Sequence, residues 1–277
     1  MTFSTLPEVA AFLLGIAAVI GFCAWLKKSF LPSLRQARAY CEQVQVCGYL
    51  PPPPEASGIR RMRRLSGFFT WLLAGKVEVI GRENLDKLPS KSYIVTPNHP
   101  SMTDVAVIPH VLGERNARYM AARGVLQCFG GLGGLLFAPM GVFSCDLDRG
   151  KGGPAREAAV KILASGQSLV MWPEGWTYLD GKTGPFKKGA VRIAREASKQ
   201  LGEETYIVPV NLRYGRYPGK WILKLNIKVQ YMVLFFGFLW FRRGVRVVIG
   251  EPIPISSLPS DASATEILRD KVIALGL

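Results

Sequence analysis

Between residues 77 and 254, short runs rich in Val and Ile alternate with stretches of helical periodicity, and this alternation narrows the possible folds most. Runs at 77–80, 93–96, 168–172, 207–212, 225–233 and 245–250 are short and β-branched, the pattern of strands. Helical spacing recurs at 105–112, 154–164 and 190–201, and a closing helix is expected at about 262–275. Strands that alternate with helices pack as an α/β domain, so a mixed sheet flanked by helices is expected. Two apolar stretches interrupt this pattern. Residues 125–143 (VLQCFGGLGGLLFAPMGVF) are Gly-rich and uncharged and read as buried core. Residues 231–241 (YMVLFFGFLWF) run into Arg242 and Arg243 and are too short to span a bilayer. They read either as core or as a surface for membrane docking or an acyl chain.

Ahead of the domain, residues 9–26 (VAAFLLGIAAVIGFCAWL) carry no charge, follow Glu8 and are closed by Lys27 and Lys28. As a helix this stretch would be about 27 Å long, just short of a typical hydrocarbon core. A secretory signal carries its positive charge before the apolar run, whereas here the charge follows. The order predicts a transmembrane or membrane-embedded anchor with the rest of the chain on the cytoplasmic face. A buried core helix is the alternative. A short helix at 34–46 is then stopped by the prolines at 51–54. In the next stretch Met62, Leu65, Phe68, Phe69 and Leu72 recur at helical spacing behind Arg60, Arg61, Arg63 and Arg64. Such a helix lies in the membrane interface, or it packs on the domain with its arginines solvated. The expected organisation is an anchor at 1–30, a helical linker with a basic amphipathic helix at 31–76, and an α/β domain at 77–277.

Lys and Arg outnumber Asp and Glu by 35 to 20, a formal charge of +15, while 49% of residues are hydrophobic. That combination suits membrane lipids and anionic substrates. No zinc-finger, homeodomain or RNA-recognition pattern accompanies the charge, so nucleic acid is not the expected partner. The five cysteines, Cys23, Cys41, Cys47, Cys128 and Cys145, are odd in number and include no CxxC pair. A disulfide framework or zinc site is therefore not indicated, and with only His99 and His110 no metal site is expected.

Chemistry concentrates in three stretches. In YIVTPNHPSMTD (93–104) an expected strand ends in Asn98 and His99, and a helix follows from about Ser101. A histidine in a strand-to-helix turn, with Asp104 able to bond its ring, forms a base and its orienting carboxylate. Ser101 to Asp104 also fits a capping box, and His99 also fits a hydrogen-bonded loop histidine. In MWPEGWT (171–177), Glu174 and Gly175 fall at the carboxyl end of a strand, where open α/β sheets bind ligands. The Gly175 amide there can face a developing oxyanion, or the segment is simply a turn. Arg149, at the end of GVFSCDLDR (141–149), and Lys187 and Lys188 before a helix start are candidate phosphate receptors or solvated surface cations.

These stretches together resemble the glycerolipid acyltransferases typified by 1-acylglycerol-3-phosphate acyltransferase. The Asn-His-x4-Asp block of that family is met by Asn98, His99 and Asp104, and its Pro-Glu-Gly by Pro173, Glu174 and Gly175. Its Gly-to-Arg block is met loosely by Gly141 to Arg149, and its Val-Pro strand by residues 207–210. The resemblance covers about residues 77–255, with the blocks in order. It implies that His99 and Asp104 are catalytic. It also implies that Asn98, Arg149, Pro173, Glu174, Gly175, Lys187 and Lys188 bind substrate. Acyl-CoA or acyl carrier protein would be the co-substrate, with no metal or organic cofactor. One departure stands out: Trp176-Thr177-Tyr178 replaces the usual Thr-Arg-Ser. The acceptor phosphate would then fall to Arg149, Lys187 and Lys188, or the acceptor is another lysolipid or alcohol. A scaffold that keeps the fold without turnover, and a CoA-independent transacylase, are the alternatives.

Overall fold

The β-branched runs pair as the alternation requires. The computed structural model describes residues 6–46, 53–88, 92–115, 117–145, 153–217, 219–226, 229 and 244–277. Its strands are β1 (Val77–Ile80), β2 (Tyr93–Pro97), β3 (Ala117–Ala122), β4 (Val142–Cys145), β5 (Ser168–Val170), β6 (Tyr206–Tyr214), β7 (Val245–Ile249) and β8 (Ile253–Pro254). They form one sheet in the order β1-β7-β6-β2-β5-β3-β4, with β8 paired to β6. Neighbours from β6 through β4 are parallel. β7 runs antiparallel to β6, and β1 follows β7. The carboxyl ends of the five parallel strands therefore share one edge with the amino ends of β1 and β7.

The helices are α1 (Leu6–Trp25), α2 (Leu31–Val46), α3 (Ala56–Leu73), α4 (Asp104–Leu112), α5 (Arg123–Phe137), α6 (Gly153–Ala164), α7 (Gly189–Leu201) and α8 (Asp261–Ala274). β2 is buried along its whole length, as a central strand covered on both faces must be. Its alternate residues enter different cores. Tyr93 and Val95 join Val107, Ile108 and Val208 on one face, while Ile94 joins Val191, Ala194 and Leu268 on the other.

At the amino terminus α1, one π-helical segment (Leu26–Phe30) and α2 follow one another, and Lys27 and Lys28 fall in the π segment. Within this stretch Leu14–Gln36 is long and apolar enough to cross a membrane, and its hydropathic window has no residue buried. α2 packs on α5. α3 is more than a linker, because Gly58, Met62, Ser66 and Thr70 are buried, and Met62 joins the core with Val107 and Ile108. Gly58 is required here: a Cβ would come within 2.1 Å of the Pro139 carbonyl oxygen. The opposite side of α3 exposes Arg61, Arg64, Phe68 and Trp71. α3 therefore packs on the domain with its arginines solvated, as one of its two sequence readings has it.

Three expectations change. The strand expected at 168–172 ends at Val170. Residues 125–143 are not one core segment but most of α5, a 3-10 turn at Ala138–Met140 and the start of β4. β3 has no counterpart in the sequence reading, because ARYMAA lacks β-branched residues and places an arginine within the strand. Most of 225–233, and all of 231–241, lie outside the described residues. Leu225 and Asn226 are not in a strand.

Candidate active site

β2 ends at Pro97, whose fixed φ and missing N–H suit a strand end, and α4 begins at Asp104. The intervening turn carries His99 at the carboxyl edge. Its Nδ1 lies 2.8 Å from Asp104 Oδ2, with the His99 side chain 14% exposed and that of Asp104 fully buried. Asp104 Oδ2 also accepts the Ser101 N–H at 3.0 Å, so the carboxylate serves the helix start and the imidazole at once. The remaining oxygen, Oδ1, accepts the Tyr214 hydroxyl at 2.6 Å. Burial raises the Asp104 pKa, and the bonds from His99, Tyr214 and Ser101 oppose that rise. Burial and the neighbouring Asp104 push the Tyr214 hydroxyl well above its usual range, which keeps it a donor.

Glu174 acts on the backbone of the same turn. Its Oε1 accepts the His99 N–H at 2.6 Å and its Oε2 accepts the Gly184 N–H at 2.8 Å. Burial raises its pKa, and these two backbone bonds oppose the rise. The His99 carbonyl in turn accepts the Tyr178 N–H at 2.9 Å. Asn98 ties the turn to β6: its Oδ1 accepts the Leu212 N–H at 2.7 Å, and its Nδ2 donates to the Leu212 carbonyl at 3.2 Å. The Pro173 carbonyl accepts the Lys187 N–H at 2.8 Å. Asn98, Pro173 and Glu174, expected at the substrate, thus carry the local structure of the turn. Their polar atoms hold His99 and its flanking loops.

Gly175 is engaged in the same way. Its N–H donates to the Trp172 carbonyl at 3.0 Å, so it does not face an oxyanion in this conformation. Its φ of +63° explains the glycine, and Lys187 Nζ lies 2.6 Å from where a Cβ would stand. Lys187 thus stands over the Pro-Glu-Gly turn, and Lys188 precedes the first residue of α7. Arg149 lies outside the described residues. Sequence reasoning missed Tyr214 and also Trp172, whose ring centroid is 5.2 Å from that of His99. The Trp172 indole Nε1 is buried without a hydrogen-bond partner among the described residues. His110 is elsewhere, in the contact between α3 and α4, with its ring beside Gly67.

A doubly oriented imidazole at the carboxyl edge of a mixed α/β sheet defines a protein equipped for proton transfer from a bound hydroxyl or thiol. The chain carries an acyltransferase-family domain: the family model described as Acyltransferase matches residues 76–213. The 1-acyl-sn-glycerol-3-phosphate acyltransferase of Chlamydomonas reinhardtii is 29% identical over 160 residues, covering 55% of this chain and 45% of that protein. A probable 1-acyl-sn-glycerol-3-phosphate acyltransferase of Mycoplasma pneumoniae is 27% identical over 153 residues, covering 52% and 54%. The chain spans about half the length of these curated relatives. In fold it is similar to the crystal structure of the 1-acyl-sn-glycerophosphate acyltransferase PlsC from Thermotoga maritima. The TM-score is 0.51 at 21% identity, over 78% of this chain and 77% of that one.

Proposed function

We propose that this protein transfers a fatty acyl group from a thioester, acyl-CoA or acyl carrier protein, to the free hydroxyl of a lysophospholipid, 1-acylglycerol-3-phosphate being the first choice. The observation that carries the reading is the 2.8 Å contact between His99 Nδ1 and a buried Asp104. With Nδ1–H directed at that carboxylate, Nε2 is the ring atom left for substrate. It takes the acceptor's hydroxyl proton as the oxygen attacks the thioester carbonyl, and Asp104 stabilises the imidazolium that forms. Collapse of the tetrahedral intermediate expels the thiolate, which receives the proton from His99.

The oxyanion falls to the indole N–H of Trp172, a buried donor left without an acceptor beside His99. Such a donor costs about 1–3 kcal/mol unless a ligand meets it. Lys187, over Gly175, receives the acceptor phosphate in place of the arginine that Thr177 replaces, with Lys188 at the amino end of α7 in support. The exposed apolar helix within Leu14–Gln36 holds the domain at a membrane, and the lysines that follow its apolar run favour the cytoplasmic face.

The test is an acyl-transfer assay on the detergent-solubilised full chain, wild type beside His99→Ala. Acyl-CoA and acyl carrier protein are offered with glycerol-3-phosphate, 1-acylglycerol-3-phosphate and phosphate-free lysolipids. Acylation of 1-acylglycerol-3-phosphate by wild type alone supports the full reading. Reaction of only a phosphate-free acceptor moves the substrate and keeps the mechanism. Equal turnover by both proteins would refute the role of His99.

A further inference from the structure

Next to Tyr214, whose hydroxyl bonds Asp104, an open cavity of about 730 Å³ lies where β6, β7, β1 and the end of α3 meet. Lys76, Arg213 and Arg246 line it together with Glu78, and Gly75, Gly215 and Gly244 keep its wall free of side chains. The charges are ordered by strand register. Glu78 on β1 pairs with Arg246 on β7, and Arg246 pairs directly with Arg213 on β6. Glu78 neutralises Arg246, with Nε 3.1 Å from Oε2 and Nη2 3.4 Å from Oε1. Arg213 has no carboxylate among the described residues, its Nη1 donating only to the Gly276 carbonyl at 2.8 Å. Lys76 makes no side-chain hydrogen bond or ion pair among them.

Directly opposed residues of an antiparallel pair hold their Cβ atoms ~5 Å apart, and like charges placed so are destabilising. Two arginines facing each other, with one carboxylate on the far side of Arg246 and a lysine at the rim, leave an uncompensated positive charge in a recess. An anion removes that repulsion and gains charge-assisted bonds from the guanidinium forks. The cavity's position narrows the source. It opens beside Ala74 and Gly75, one turn past Trp71, at the end of the exposed α3 stripe on which Phe68 and Trp71 follow Arg61 and Arg64. Such an order of aromatics and cations suits a helix lying at the level of lipid headgroups.

We infer that this cavity binds the phosphate of an anionic phospholipid headgroup, as a site separate from the one that receives the acyl acceptor. Lys76 and Arg213 are its principal contacts, and Glu78 competes with the lipid for Arg246. The site adds a lipid-specific contact to the apolar anchor and holds the catalytic edge at a fixed height above the bilayer surface.

The test is calorimetric titration of the detergent-solubilised full chain with a short-chain phosphatidylglycerol, kept below its micelle concentration. Short-chain phosphatidylcholine, inorganic phosphate and CoA are titrated in parallel. Lys76→Gln and Arg213→Gln should each weaken phosphatidylglycerol binding about tenfold, the usual effect of losing one charge-assisted contact. Glu78→Gln should tighten it, an outcome that damaged folding does not produce. His99→Ala and Lys187→Gln should bind as wild type does, so the result is independent of whether the protein turns over. Equal affinity for phosphatidylcholine, or unchanged binding in the Lys76 and Arg213 variants, overturns the proposal. Displacement of the lipid by phosphate or CoA at comparable concentration overturns the assignment to a lipid headgroup.

Discussion

The catalytic turn and the cationic surfaces around it satisfy their polar groups in opposite ways. At the turn, Asp104 takes three donors, Glu174 takes two backbone N–H groups, and Asn98 closes on Leu212, so His99 is held entirely by the protein. Around it, Lys187 stands over a glycine, while Lys76 and Arg213 face an open cavity without a carboxylate of their own. The first region is organised before any ligand arrives. The second is incomplete without one. Rate should therefore be lost when the first is altered, and apparent affinity when the second is.

The sharpest break of that contrast is at the imidazole itself. His99→Ala should lower kcat by about 10⁴-fold with an unchanged melting temperature, measured by the acyl-transfer assay and circular dichroism. Trp172→Phe should lower kcat by about 10²-fold, the usual effect of removing one oxyanion donor. Because it deletes an unsatisfied buried N–H, its stability should hold or rise; full activity in this variant would leave Trp172 a packing residue.

Tyr214→Phe sharpens the contrast by pH. The proposed mechanism needs Asp104 ionised, and burial raises its pKa, so activity should fall on acidification above the ordinary aspartate range of about 4. The Tyr214 hydroxyl opposes that rise. Its removal should move the acid limb further up in pH and lower kcat about tenfold at neutrality. A kcat–pH profile with an unmoved acid limb would remove Tyr214 from the site. The smallest effect belongs to the second region: Lys187→Gln should raise KM for a phosphate-bearing acceptor about tenfold, with kcat little changed. An equal loss with a phosphate-free lysolipid would show that Lys187 acts on the turn and not on the phosphate.

What the sequence disclosed follows from how local each feature is. His99 and Asp104 are five residues apart in one strand-to-helix turn, so their pairing was readable from the chain alone. Tyr214 is 110 residues from Asp104 and meets it only because β6 lies beside β2, a neighbourhood no local pattern encodes. Glu174 was visible as part of a motif, yet its work on the His99 amide, 75 residues away, depends on the same assembly. The Pro-Glu-Gly order suggested a ligand site, and its carboxylate also holds the backbone around His99. β3 was hidden for a different reason. Its alanines carry no strand signal, and Arg118 is fully buried where a charge is not expected.

The reversed direction of β1 and β7 has one more consequence. Because their first residues lie at the catalytic edge, α3 delivers the chain to the sheet on that edge, and Gly244 returns it there. In the proposed attachment to a membrane, a contact made through α3 at this point restricts tumbling about axes that would turn His99 away from the bilayer. For a substrate confined to that surface, encounter becomes a search in two dimensions by a domain already facing the right way. The rotational part of the search is then settled by strand direction, before any residue of the site has met its ligand.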